Sequence, residues 1–204
     1  VTLLTLVRHG QTIWHADNRY AGSSDVDLTA TGLAQAEALG EWAAVAKPDA
    51  IACSPLTRSR LTAAPAARIL GLEPDIHDDL REVHFGEAEG RTLAELPPEI
   101  ADAFVRDPVA SPFPGAETIS DAAERMRHCL LSLAERHRGE HVLVVGHNTA
   151  IRLALCRVLG IELSAYRRLL RGPDNVSRTD LLVTDRMFRL ERFNAPLVAE
   201  GRTF

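Results

Sequence analysis

Residues 141–160 read HVLVVGHNTAIRLALCRVLG. The opening HVLVVG is an apolar, partly β-branched run of buried-strand length. From Asn148 onward the apolar residues fall at helical spacing, and Gly160 closes the pattern. One strand therefore passes almost directly into a helix, with His147 at the junction. Repeated along a chain, that arrangement predicts a layered α/β fold.

The repetition is there on both sides. Residues 2–7 (TLLTLV) and 50–53 (AIAC) are short apolar strands. A helix is predicted over Thr31–Ala46, with Pro48 beyond to stop it. The second strand leads into SPLTRSRLTAAPAARIL, where Ser54 is the expected N-cap and Pro55 takes the favoured first helical position. Pro65 lies inside that helical pattern and predicts a kink or break. EPDIH (73–77) is a third, shorter strand. A long helix is expected over Thr118–His137, ended by Gly139. The tail NVSRTDLLVTDRMFRLERF alternates as two strands about Asp185 and Arg186, an edge hairpin. The expectation is one domain, 1–204: a three-layer α/β sandwich with a mainly parallel central sheet and helices on both faces. An irregular, Pro- and Gly-rich region at about 83–115 would cap it.

Composition narrows the function. The 204 residues are 46% hydrophobic, with a formal net charge of -5. An acidic chain without a Lys/Arg run offers nucleic acid or an anionic membrane no electrostatic footing. Of its 23 basic residues only Lys47 is lysine, a bias expected of a GC-rich bacterial genome. Cys53, Cys129 and Cys156 are odd in number and lack CxxC spacing, as expected for reduced thiols in the cytoplasm. The run VTLLTLV is too short for a secretory or transmembrane segment and reads as a strand.

In an open α/β sheet the working groups gather beyond the carboxyl ends of the strands. Arg8-His9-Gly10 follows the first strand, CSPLTRSR with Arg58 the second, and His147 the strand at 141–146. Two arginines and two histidines thus converge on one face of an acidic protein. Guanidinium forks match phosphate oxygens two at a time. Helix N-termini near Pro55 and Asn148 would add oriented N–H dipoles. Glu82, in LREVHFG, is the candidate proton source for a departing alkoxide.

The ordered set LVRHGQT, LTATGLAQA, CSPLTRSR, LREVHFGEAEGRT, PGAET and VLVVGH resembles the histidine phosphatase superfamily, the phosphoglycerate mutase-like proteins. The resemblance implies that His9 is the nucleophile, forming a phosphohistidine. Arg8, Arg58 and His147 would bind the phosphoryl oxygens, and Glu82 would protonate the leaving group. It implies no metal and no other cofactor, because cationic side chains take the role of a magnesium ion. Further substrate contacts would come from Gln11, Thr12, His15, Ala21 and Gly22. His84, Glu117 and Asn148 complete the implied set. His15 replaces the Asn, and Asn148-Thr149 the Gly-Gly, of the commonest family pattern, so both bear on substrate identity.

The bland alternatives are specific. Arg58 and Glu82 could form a structural ion pair, and Glu117 could serve a helix N-terminus. His137 and His141 are not read as a metal site, because Gly139 breaks the helix between them. The leading function is a phosphatase of a small phosphorylated metabolite, acting as a monomer or homodimer. A phosphoglycerate-type mutase is the runner-up, disfavoured by the short segment of 34 residues (83–116) that follows Glu82. A non-catalytic phospho-ligand-binding relative is third, disfavoured because all five catalytic positions are present.

Overall fold

The computed structural model describes residues 1–197. Six strands form one sheet, in the order β3-β2-β4-β1-β5-β6. They are β1 (Thr2–Arg8), β2 (Ala50–Cys53), β3 (Asp75–Ile76), β4 (His141–Gly146), β5 (Arg178–Thr184) and β6 (Met187–Ala195). The β3–β2, β2–β4 and β4–β1 pairings are parallel, whereas β5 runs antiparallel to both its neighbours.

Strand alternation sends side chains to two separate cores. Leu4 and Leu6 of β1 and Val142 and Val144 of β4 pack with α4 (Ile119–Arg136) and α5 (Asn148–Leu159) on one face. Val7, Leu143 and Val145 pack on the other with α1 (Ala30–Ala46) and α2 (Thr57–Leu70). The three layers follow from that division. Thr29 caps α1 and Thr118 caps α4, each accepting a backbone N–H three residues on. The tail is the expected edge hairpin, with Asp185 and Arg186 at φ 49 and 66, a left-handed pair suited to a two-residue turn.

Two expectations about the second helix need correction. It begins at Thr57 rather than at Pro55, with Leu56 and not Ser54 at the N-cap position, because the Ser54 N–H still donates to Val145 O and extends the sheet ladder. Its cap comes from elsewhere in the chain: Asp25 accepts from both the N–H and the hydroxyl of Thr57, at 2.8 and 2.7 Å. Pro65 does not break α2, which runs uninterrupted from Thr57 to Leu70. Tight packing holds it there, since a Cβ on Gly40 of α1 would lie 3.0 Å from Pro65.

Between β3 and α4 the chain makes three short 3-10 turns and α3 (Pro98–Arg106). Phe85, Phe104 and Phe113 pack there around Tyr20, Phe104 and Phe113 stacking at 3.9 Å. After α5 a further short helix, α6 (Tyr166–Leu169), faces the same region.

Candidate active site

The register of β1 on β4 sets Arg8 beside Gly146, so the next residues of both strands lie together. The His9 N–H donates to Gly146 O, and the rings of His9 and His147 are 5.1 Å apart. Gly10 is needed here. A Cβ on it would approach Gly32 O of α1 to 2.6 Å.

The His9 Nδ1 donates to Gly10 O at 2.7 Å, which leaves Nε2 as the lone-pair nitrogen. Burial and the cations Arg58 and Arg8 hold the His9 pKa well below its ordinary value. It is therefore a neutral imidazole at neutral pH, the state a nucleophile requires. Burial, Arg58 and His9 lower the pKa of His147 in the same way.

Arg58 is fully buried, and its Nη groups donate to Ser24 O and Gly22 O at 2.7 and 2.6 Å. Arg8 donates from Nη1 to Pro173 O at 2.7 Å and from Nη2 to His15 Nε2 at 2.6 Å. A guanidinium only donates, so Nε2 of His15 accepts. On the other side of the ring, Nδ1 meets the N–H of Thr12 at 3.0 Å and lies 2.8 Å from its Oγ1. Burial and Arg8 lower the His15 pKa to about 4, in keeping with a neutral ring. Burial lowers Arg8 to about 10, still charged at neutral pH. The Nε atoms of Arg8 and Arg58 and both ring nitrogens of His147 are buried without a hydrogen-bond partner among the described residues. Buried donors of this kind are expensive unless something meets them.

Glu82 sits at the start of α5. Its Oε2 accepts from the N–H of Thr149 at 2.9 Å, and its Oε1 from those of Ala150 and Val83 at 2.8 and 3.0 Å. It forms no salt bridge with Arg58; main-chain groups engage both. Oε2 has one backbone donor, against two on Oε1.

These groups border a cleft of about 310 Å³. Arg8, His9, Thr12, His15, Ala21 and Gly22 line it, as do Arg58, Glu82 and Asn148. His147 lies fully buried behind them. Three other predicted contacts are turned to local work outside the lining. Gln11 Oε1 accepts from Thr29, and the His84 ring meets Ser23 and Glu89. Glu117 pairs with Arg125, which also donates to the carbonyls of Arg81 and Glu82 and so steadies the segment bearing Glu82. His137 pairs with Glu140, and the His141 ring meets Thr5. Among the described residues no group of three or more His, Cys, Asp or Glu is arranged to hold a metal ion.

A family model described as the histidine phosphatase superfamily, branch 1, matches residues 4–196. The chain belongs to that superfamily. Phosphoserine phosphatase 1 of Hydrogenobacter thermophilus is 32% identical over 186 residues, covering 90% of this chain and 87% of that protein. A probable phosphoglycerate mutase, GpmB of Citrobacter koseri, is 34% identical over 178 residues, covering 86% and 83%. Phosphoserine phosphatase of Entamoeba histolytica, solved in complex with phosphoserine, superposes with a TM-score of 0.84 at 26% identity, covering 95% and 97% of the two chains. The same enzyme has also been solved with 3-phosphoglyceric acid, again at a TM-score of 0.84 and 26% identity, covering 96% and 98%.

Within this superfamily frame, sequence reasoning missed four residues of note. Glu89 accepts from the N–H groups of Ser23, Ser24 and Phe85, and so shapes the loop whose carbonyls hold Arg58. Burial alone would raise its pKa, but hydrogen bonds from Ser24, Ser23 and Phe85 outweigh that and lower it. Arg152, Tyr166 and Arg167 line the cleft from α5 and α6. Arg152 had a legible signal: an arginine inside the apolar run of a helix, four residues after Asn148 on the same face.

Proposed function

We propose that this protein is a phosphatase of small phosphorylated metabolites that works through a phosphohistidine on His9. The observation that carries the reading is a lone-pair imidazole nitrogen beside guanidinium Nε atoms and an imidazole ring left without partners among the described residues. In the first step His9 Nε2 attacks phosphorus and the bond to the ester oxygen breaks. A proton from the Glu82 carboxyl goes to that oxygen, giving the free alcohol. Arg8, Arg58 and His147 donate to the phosphoryl oxygens, offsetting charge where it develops. In the second step water attacks phosphorus, the P–N bond breaks, Glu82 takes the proton, and inorganic phosphate leaves. Guanidiniums supply the electrostatics that a divalent ion supplies elsewhere. Exhaustive chelation should therefore leave turnover unchanged; loss on chelation with recovery on magnesium or zinc would refute that part.

The Hydrogenobacter and Entamoeba relatives support a small phosphorylated substrate, and the GpmB relative keeps the mutase reading in play. The short segment after Glu82 favours hydrolysis. With phosphoserine or 3-phosphoglycerate, inorganic phosphate should appear without added bisphosphate. Isomer interconversion outrunning phosphate release would move the assignment to a mutase. Rapid quench into alkali should trap a phosphoenzyme that is stable there and lost on acidification, absent in His9→Ala. A phosphoenzyme that persists in that variant would remove His9 as nucleophile.

A further inference from the structure

Glu82 reaches the cleft from a stretch of chain that no sheet ladder holds. Between the 3-10 turns at Asp78–Leu80 and Gly86–Ala88 the backbone forms neither strand nor helix. Leu80 and Val83 are fully buried and keep that stretch on the core. Those anchors flank Glu82 without fixing the orientation of the peptide units between them. The carboxyl accepts from the N–H groups of Val83, Thr149 and Ala150, which secure only the far end of a flexible side chain.

Arg125 of α4 holds the other end. It stands outside the cleft lining, with 14% of its side chain exposed. All five of its N–H donors are engaged. Nη1 donates to Asp79 O and Arg81 O at 2.6 and 2.9 Å, and Nη2 to Glu82 O at 3.2 Å. The other two go to the Glu117 carboxylate, Nε to Oε1 at 2.6 Å and Nη2 to Oε2 at 2.9 Å. That charge-assisted fork sets the plane of the guanidinium. Glu117 is tied to the same stretch, because its N–H donates to His84 O at 2.9 Å. A fully engaged guanidinium has no donor left for a substrate, and its carbonyl partners end at Glu82 itself. Further along α4, Arg136 holds Asp75 and His77 at the sheet edge instead.

We infer that Arg125, oriented by Glu117, is the positioning residue for the proton donor: it fixes the peptide units from which Glu82 reaches the leaving-group oxygen. A general acid acts only within hydrogen-bond reach of that oxygen, about 2.6–3.2 Å. Misplacing a reacting group by about 1 Å can cost about 100-fold in rate. The bond to Glu82 O acts on the acid's own peptide unit, so the placement is direct. The inference deepens the proposed function and rests on Glu82 as the acid.

The test separates placement of the acid from general support of the fold. Arg125→Gln should slow 3-phosphoglycerate hydrolysis about 10- to 100-fold, chiefly in kcat, and p-nitrophenyl phosphate hydrolysis far less. In a Glu82→Gln background the same substitution should cost nothing further, because the group it places is already gone. Arg125→Lys keeps a donor for some of the carbonyls and should recover part of the loss. Arg136→Gln, which releases Asp75 and His77 from the same helix, should leave the contrast between the two esters unchanged. Where Glu82→Gln itself shows the contrast, equal losses on both esters in Arg125→Gln would overturn the inference, as would losses that add to those of Glu82→Gln. The amide signals of Thr149 and Ala150, whose N–H groups donate to the Glu82 carboxyl, report its placement by nuclear magnetic resonance with no turnover at all. In Arg125→Gln they should move toward their positions in Glu82→Ala. Unmoved signals would end the inference while leaving the phosphatase reading intact. Moved signals, with no contrast between esters in Glu82→Gln, would uphold Arg125 as the residue that places Glu82 and remove Glu82 as the acid.

Discussion

At the scale of single residues, placement at the cleft was legible where a side chain leaves a strand end and illegible where a neighbour engages it. His9 and Arg8 could be read from RHG because the strand before them fixes their direction. Gln11, His84 and Glu117 share the same motifs, yet Thr29, Glu89 and Arg125 occupy them. No linear pattern discloses such partners. Glu82 tests the residue-level chemistry most directly. A general acid matters most for a basic alkoxide leaving group and little for p-nitrophenolate, so Glu82→Gln should slow 3-phosphoglycerate hydrolysis by about 10²–10⁴ and p-nitrophenyl phosphate hydrolysis far less. Equal losses on both substrates, with the circular dichroism spectrum intact, would make Glu82 a helix-capping residue only. His15 shows the opposite case, a departure from the family pattern whose purpose emerges in three dimensions. Its neutral ring accepts from Arg8 and fixes one fork of that guanidinium.

At the scale of elements, the strands and main helices were legible from periodicity because each buries one face against the sheet. What escaped was support arriving from far along the chain. Asp25 caps α2, and Glu89 gathers the 22–24 loop. Gly22 permits that loop, having φ +49 and no room for a Cβ against Glu89. Glu89→Gln would turn an amide N–H₂ toward groups that already donate. The expected result is a loss of about 1–3 kcal/mol in stability, the usual penalty for buried unsatisfied donors, together with a lower kcat/KM on every phosphomonoester, because Arg58 loses its anchoring carbonyls. Chemical denaturation and steady-state kinetics on the same preparation check both. An unchanged midpoint would show that the loop holds its shape without this carboxylate.

At the scale of the whole molecule, the proposed catalysis and the stability draw on the same buried imidazoles. His9 and His147 have folded-state pKa values below the ordinary 6.5. Protons therefore bind the unfolded chain more readily, so stability is full above about pH 6.5 and falls as the pH drops. Each such imidazole contributes a slope of about 1.4 kcal/mol per pH unit below that point. Denaturant unfolding at pH 7.0, 6.0 and 5.5 should show the decline, and His9→Ala should flatten it by about one proton. Stability that rises on acidification would mean the two rings are charged in the fold. A last consequence comes from the way Arg8 and Arg58 are gripped, by the carbonyls of Pro173, Gly22 and Ser24. Every amino acid has the same carbonyl. Apart from Gly22, side chains around the grip can thus drift over generations without loosening it, and descendants can rewrite the rim of the cleft while inheriting the groups at its base. A mutational library at Pro173 should therefore retain activity in most members that keep the backbone path, whereas one at Arg152 should diversify substrate preference.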